Sequence, residues 1–242
     1  MILQPKDFKM ETTSVWSFKE RGEWATHKGD YRGNCSPYVL RNLLLKYTKE
    51  RDLVLDPFCG SGTTLIECKL LKRHSIGLDI NNNAIILAKE RLNFKYPESF
   101  EPKLYCTNSI YLDSIVSKES VDFIFAHPPY ANIIQYSQNI NDDLSKLSVD
   151  NFLKQIEIFS QKCFNVLKKN KICTVLIGDI RKNGNIIPLG FNIMNIFMNT
   201  GFQLKEVIIK EQHNCTSTEY WKNKKINFYL LAHEYIFVLK KS

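Results

Sequence analysis

Short apolar runs along the chain alternate with segments whose apolar residues recur at helical spacing. Leu53-Val54-Leu55 forms one run within residues 51–56, ended by a proline and a glycine-rich turn, and residues 63–71 then read as a helix. Residues 75–80 predict a second buried strand, and residues 83–93 its helix, with Ala84, Leu87, Ala88 and Leu92 near one face. Residues 103–106 predict a short strand, and Val121-Asp122-Phe123-Ile124-Phe125-Ala126 a stronger one, stopped by two prolines. A helix over 151–167, a strand over 172–178 and a helix over 189–200, before Gly201, continue the pattern. Residues 203–210 and 227–239 are β-rich and close enough in sequence to pair as a hairpin. The alternation predicts an α/β fold, a mainly parallel sheet between helices with an antiparallel C-terminal edge. No repeat, low-complexity tract or linker interrupts it, so 1–242 reads as a single domain.

Composition narrows the class. The chain has 242 residues, 44% of them hydrophobic and 24% charged, which suits a globular domain with a substantial core and excludes disorder or fibre. No apolar run approaches the roughly 20 residues needed to cross a bilayer, and the first residues lack a signal peptide's apolar stretch, so a cytoplasmic protein with no membrane partner is expected. Seven scattered cysteines, without Cys-x-x-Cys spacing, predict reduced thiols and no metal site. A net charge of +8 and a pI near 9.0 admit a polyanionic partner without requiring one, because the lysines are dispersed.

Two stretches carry chemistry. The first is Asp56-Pro57-Phe58-Cys59-Gly60-Ser61-Gly62-Thr63-Thr64. A glycine-rich turn after a strand lets backbone approach a ligand closely, and the following helix N-terminus offers unpaired amides. It lacks the Gly-Lys-Ser/Thr ending of a nucleoside triphosphatase loop. Asp79, 23 positions after Asp56, sits where a carboxylate meets ribose hydroxyls in dinucleotide-binding units. The second is His127-Pro128-Pro129-Tyr130, directly after a predicted strand. A backbone carbonyl with no neighbouring amide hydrogen is an available hydrogen-bond acceptor. Two prolines fix the backbone and bring no competing amide hydrogen, so the Pro128 carbonyl is a candidate acceptor. Tyr130 offers an aromatic face on which a planar or cationic ligand can pack.

The residues from Val54 to Thr64 resemble motif I of the amino-methylating DNA methyltransferases, which modify adenine-N6 or cytosine-N4. Trp24-Ala25-Thr26-His27 and Tyr31 to Tyr38 resemble that family's motif X, His127 to Tyr130 its catalytic motif IV, and His233 to Val238 its last strand. The resemblance spans roughly Trp16 to Lys241, with motifs X, I and IV in that order. It implies a class I methyltransferase fold with a seven-stranded mixed sheet, S-adenosylmethionine as cofactor, DNA as substrate and a separately encoded restriction endonuclease as functional partner. Cofactor-binding positions implied are Asp56, Pro57, Phe58, Gly60, Gly62, Thr63, Asp79, Asn108, Tyr31 and Asn34; catalytic positions are His127, Pro128, Pro129 and Tyr130. Adenine-N6 is preferred slightly over cytosine-N4.

His127 departs from the family pattern, which has Asp, Asn or Ser at that place. A neutral imidazole also accepts a hydrogen bond, through one nitrogen. Asp179 and Arg181 read equally as active-edge residues and as a helix-capping acid with a solvated base. His213, Asn214, Tyr220, Trp221, Lys222, Lys224 and Lys225 mix aromatics with charge as nucleic-acid contacts do. Target recognition would fall to insertions at 131–150 and 211–227. No Cys follows the prolines, as it would in cytosine ring-carbon methyltransferases. An RNA base-amine enzyme and a non-enzymatic binding descendant remain the alternatives.

Overall fold

In the computed structural model, which describes residues 2–131, 143–213 and 224–242, alternate residues of the central strands feed two different cores. Val54, Phe123 and Phe125 pack in one cluster, and Leu55, Ile124 and Ala126 in another on the opposite face. Strands buried on both faces are those of a parallel sheet covered by helices. The chain order is β1 (Val15–Trp16), α1 (Pro37–Tyr47), β2 (Leu53–Asp56), α2 (Thr63–Leu70), β3 (His74–Asp79), α3 (Asn82–Leu92), β4 (Lys103–Cys106), α4 (Leu112–Ile115), β5 (Val121–Ala126), α5 (Val149–Val166), β6 (Leu167–Ile177), β7 (Ile180–Lys182), β8 (Asn185–Ile187), α6 (Leu189–Thr200), β9 (Phe202–Glu211) and β10 (His233–Lys241).

The main sheet runs β1-β9-β10-β6-β5-β2-β3-β4. Neighbours from β6 through β4 are parallel, and β10 is antiparallel to both β6 and β9. The expected antiparallel edge is therefore present, and the sheet has eight strands among the described residues where seven were expected. The extra one is β1, two residues paired parallel with β9 and fixed by the buried Trp16; it is too short to register as a periodic run. The last strand begins at His233, not at 227, because β9 ends at Glu211, the partner of His233 in the ladder.

Helix positions follow their apolar stripes. Phe152, Ile156, Phe159, Cys163 and Val166 lie on the buried face of α5, which Ser148 caps by accepting from the Asn151 amide. Full burial of each such Phe contributes about 1.5–3 kcal/mol. Helix α1 was not expected, yet Val39, Leu40, Leu43 and Leu44 are fully buried and Pro37 opens its first turn. From β2 the chain runs outward through β3 and β4, then crosses back to β5 on the other side of β2. The strand order thus reverses between β2 and β5, and a cleft opens beyond their carboxyl ends. Among the described residues no helix is long and apolar enough to cross a membrane.

Candidate active site

That cleft encloses about 910 Å³ including its open mouth, and its wall combines both sequence stretches. Asp56, Pro57, Phe58, Gly60 and Thr63 come from the β2–α2 turn, Asp79 from the end of β3, and Asn108 from beyond β4. Tyr31 and Asn34 come from the N-terminal segment, and His127, Pro128 and Pro129 from the loop after β5. Gly62 does not line it. With φ +88°, Gly62 makes the turn into α2, and a Cβ there would lie 3.3 Å from the Cβ of Ala88 on α3. Gly60, also at positive φ, lies under the Tyr31 ring, 3.1 Å from where its own Cβ would stand.

The acids hold this turn in shape. Asp79 Oδ2 accepts the Gly60 amide at 2.9 Å and Oδ1 the Asn81 amide at 2.8 Å. Asp56 Oδ1 accepts the Phe58 amide at 3.0 Å. Thr63 Oγ1 donates to Asn34 Oδ1 at 2.5 Å, clipping the N-terminal segment to the start of α2. Asn108 caps the next short turn by accepting from the Ile110 amide at 3.1 Å. Burial pushes the Asp56 carboxyl up to about 7, opposed by hydrogen bonds from Thr64 and Phe58 and reinforced by Asp79. Asp79 is also raised, chiefly by burial.

On the other wall, the half-buried His127 lines the cavity. Burial lowers its pKa, Glu234 opposes the shift and Lys210 adds to it, so the imidazole is neutral at pH 7. Tyr130 is tied back. Its hydroxyl donates to Glu234 Oε1 at 2.8 Å and accepts from the Gly178 amide at 2.9 Å, and its half-buried ring packs on the core and does not line the cleft. Glu234 Oε2 receives Lys210 Nζ at 2.6 Å. Burial alone would raise the Glu234 carboxyl, but Lys210, His127 and the Tyr130 hydroxyl hold it below the usual range.

Glu234 and Lys210 were not anticipated as site residues. They meet because β9 and β10 pair in a register that sets Glu234 opposite Lys210, information that only the folded hairpin carries. Asp179 serves its capping alternative, accepting the Gly190 amide in the first turn of α6 at 3.0 Å. Of the basic aromatic loop, His213, Lys224 and Lys225 are described; Asn214, Tyr220, Trp221 and Lys222 lie outside the described residues, as do 132–142 of the first expected insertion.

The profile of the DNA methylase family matches residues 4–90 and 121–242. The chain belongs to that family. Among curated relatives, the Type II methyltransferase M2.LlaDCHI of Lactococcus lactis subsp. cremoris is 41% identical over 82 residues, 33% of this chain and 29% of that protein. A tRNA (guanine(10)-N2)-dimethyltransferase of Methanothermobacter thermautotrophicus is 35% identical over 101 residues, 41% of this chain and 29% of that protein. The matches thus span under a third of these relatives' lengths. Among solved structures, a SAM-dependent methyltransferase from Methanosarcina mazei superposes with TM-score 0.58 at 15% identity, covering 82% of this chain and 96% of its own. The fold is that of the class I S-adenosylmethionine-dependent methyltransferases.

The cleft fits such a cofactor on its own chemistry. Ser61 Oγ and Ser109 Oγ, both in its wall, are buried without a hydrogen-bond partner among the described residues. A ligand rich in amine, carboxylate and hydroxyl groups would satisfy them. The bare backbone at Gly60 and the paired acids Asp56 and Asp79 suit a cation and a ribose.

Proposed function

We propose that the chain methylates the exocyclic amine of a base in DNA, adenine-N6 in preference to cytosine-N4, as the modification arm of a restriction system. The observation that carries this reading is one cleft, at the reversal point of the sheet, walled on one side by the Asp56–Asp79 turn and on the other by His127-Pro128-Pro129. In this reading Asp56, Pro57, Phe58, Gly60, Thr63, Asp79, Asn108, Tyr31 and Asn34 hold the cofactor, with Gly62 shaping the turn. The cofactor supplies a sulfonium-activated methyl group. The Pro128 carbonyl and a neutral His127 nitrogen accept the two amine hydrogens, which turns the nitrogen lone pair toward the methyl. Once it has accepted the methyl group, the base nitrogen would be strongly acidic and would shed a proton. A weakly basic imidazole suffices to pass it to water. Tyr130 would reach a flipped base by its ring face while its hydroxyl stays on Glu234. Residues 1–242 would act as one catalytic domain, with target recognition at 131–150 and 211–227.

The tRNA-modifying relative supports a second reading, in which an RNA amine is the substrate. Incubation with methyl-labelled cofactor and either unmodified genomic DNA or bulk tRNA separates the two. Label in DNA, recovered as N6-methyladenine by nucleoside mass spectrometry, is expected. Label in tRNA alone overturns the DNA reading, and label in neither leaves a binding protein.

A further inference from the structure

Immediately beyond the Tyr130 anchor at Gly178, the chain makes a small hairpin that the sequence expectations did not include. Strands β7 and β8 pair antiparallel, with Lys182 opposite Asn185, and are joined by Asn183 (φ 51°) and Gly184 (φ 81°). Two positive φ angles in a two-residue loop are those of a tight type I′ turn. The base of the hairpin is fixed. Asp179 accepts both the Gly190 amide at 3.0 Å and the Tyr235 hydroxyl at 3.3 Å.

Arg181 welds this hairpin to the segment that leads into β10. Its Nη1 donates to the Gly184 carbonyl at 2.6 Å and its Nη2 to the Tyr229 carbonyl at 3.0 Å, while its guanidinium carbon stands 4.2 Å from the centre of the Phe228 ring. Next to Phe228, Tyr229 is 95% exposed. A full aromatic side chain held out in water on a braced backbone contributes nothing to the core. Lys182, Lys224 and Lys225 are exposed on the same two stretches, and neither 180–187 nor 224–232 contains an acid.

We propose that this hairpin and the 224–232 segment form one DNA-contacting wing beside the catalytic loop. In it Lys182, Lys224 and Lys225 meet backbone phosphates, and the Tyr229 ring packs on a base or sugar next to the target. The charge is complementary to phosphate, and the braced aromatic is the stacking group that nucleic-acid surfaces use. Arg181 acts as the positioning residue that fixes the two stretches relative to each other. The wing rests on the DNA reading above and extends recognition beyond the two expected insertions, to the β7–β8 hairpin and Tyr229.

The test uses the full chain, a fluorescein-labelled DNA duplex of mixed sequence and labelled tRNA, with anisotropy followed over a salt series. The variant carrying Lys182→Ala, Lys224→Ala and Lys225→Ala should flatten the slope of log affinity against log salt by about 2–3, at roughly 0.9 per lost phosphate contact. Tyr229→Ala should leave that slope unchanged and weaken duplex binding between about 5- and 150-fold. Cofactor affinity, measured by calorimetry, should match wild type in both. Folded variants that keep wild-type slope and affinity overturn the wing while leaving the DNA reading standing. So do variants that lose cofactor affinity in parallel, since the effect then passes through the fold. A dimer that dissociates on Tyr229→Ala with duplex binding intact would assign the patch to self-association instead. Wild-type protein that binds tRNA and not duplex overturns the DNA reading itself.

Discussion

Asp56→Asn isolates the electrostatics of the cofactor side of the cleft. Asp56 is 3% exposed and its carboxyl is pushed up from 3.8 to about 7. A folded-state pKa above the unfolded value means that folding disfavours the charged form. The cost is absent below pH 3.8, grows as pH rises, and is complete above about 7. A shift of roughly three units corresponds to about 4 kcal/mol. Asparagine cannot ionise, and its Oδ1 can still accept the Phe58 amide, so Asp56→Asn should stabilise the cofactor-free protein by up to about 4 kcal/mol at pH 8 and have little effect near pH 4. A cation entering the cleft favours the carboxylate and brings its pKa back down. Binding of S-adenosylmethionine by wild type should therefore release about 0.9 proton at pH 6 and about 0.5 at pH 7, whereas Asp56→Asn should lose that release. Urea denaturation across pH gives the first quantity. Calorimetry in buffers of different ionisation enthalpy gives the second, and the difference between wild type and variant removes any proton taken up by the ligand's own amine. Equal destabilisation by Asp56→Asn at both pH values, with binding heats that do not depend on buffer in wild type, would refute the assignment of a buried, ligand-linked carboxyl.

Because burial lowers the His127 pKa from 6.5, single-turnover methylation with saturating cofactor should fall on the acid side with a midpoint below 6.5 and be level at pH 8. His127→Ala should lose turnover and keep cofactor affinity; near-normal turnover in the folded variant would leave the backbone acceptors as sufficient. Glu234→Ala breaks a buried ion pair with Lys210 and removes the acceptor of the Tyr130 hydroxyl, so it should lower unfolding free energy by up to about 3–5 kcal/mol, measured in urea. Glu234→Gln keeps an acceptor for Tyr130 and should be milder. Because Glu234 raises the His127 pKa, Glu234→Gln should also move the acid limb of the rate profile to lower pH, and an unmoved limb would uncouple the two residues.

The cofactor side was legible in the sequence because its parts are local. A strand, two glycines at positive φ and an acid at the next strand's end lie within one βαβ unit, and Asp56, Gly60 and Asp79 meet as the spacing required. The N-terminal contribution of Tyr31 and Asn34 was legible only through family resemblance, since nothing in their spacing says that they return to α2. The hairpin at Asn183-Gly184 carried a local turn signal of the strongest kind, but its strands are three residues each, below the length at which alternation stands out. Helix α1 was legible too, from Ser36-Pro37 and the spacing of Val39, Leu40, Leu43 and Leu44.

The base-facing side is assembled differently, and that difference explains why Tyr130 departs from its simplest reading. Its hydroxyl is bound by a carboxylate 104 positions away and by the amide at the end of β6, contacts that depend on the register of β10 against both its neighbours. A free tyrosine beside a cleft would lose side-chain freedom each time a base stacked on it. One already fixed at the hydroxyl has lost that freedom on folding. The same two charges act on His127 in opposite senses, Glu234 raising its pKa and Lys210 lowering it, beneath the larger effect of burial. The Lys210–Glu234 pair thus orients the aromatic and trims the protonation of an acceptor that burial keeps neutral, and perturbing that pair should disturb the chemistry of the base while leaving the cofactor's turn, held by Asp79 and Gly60, in place.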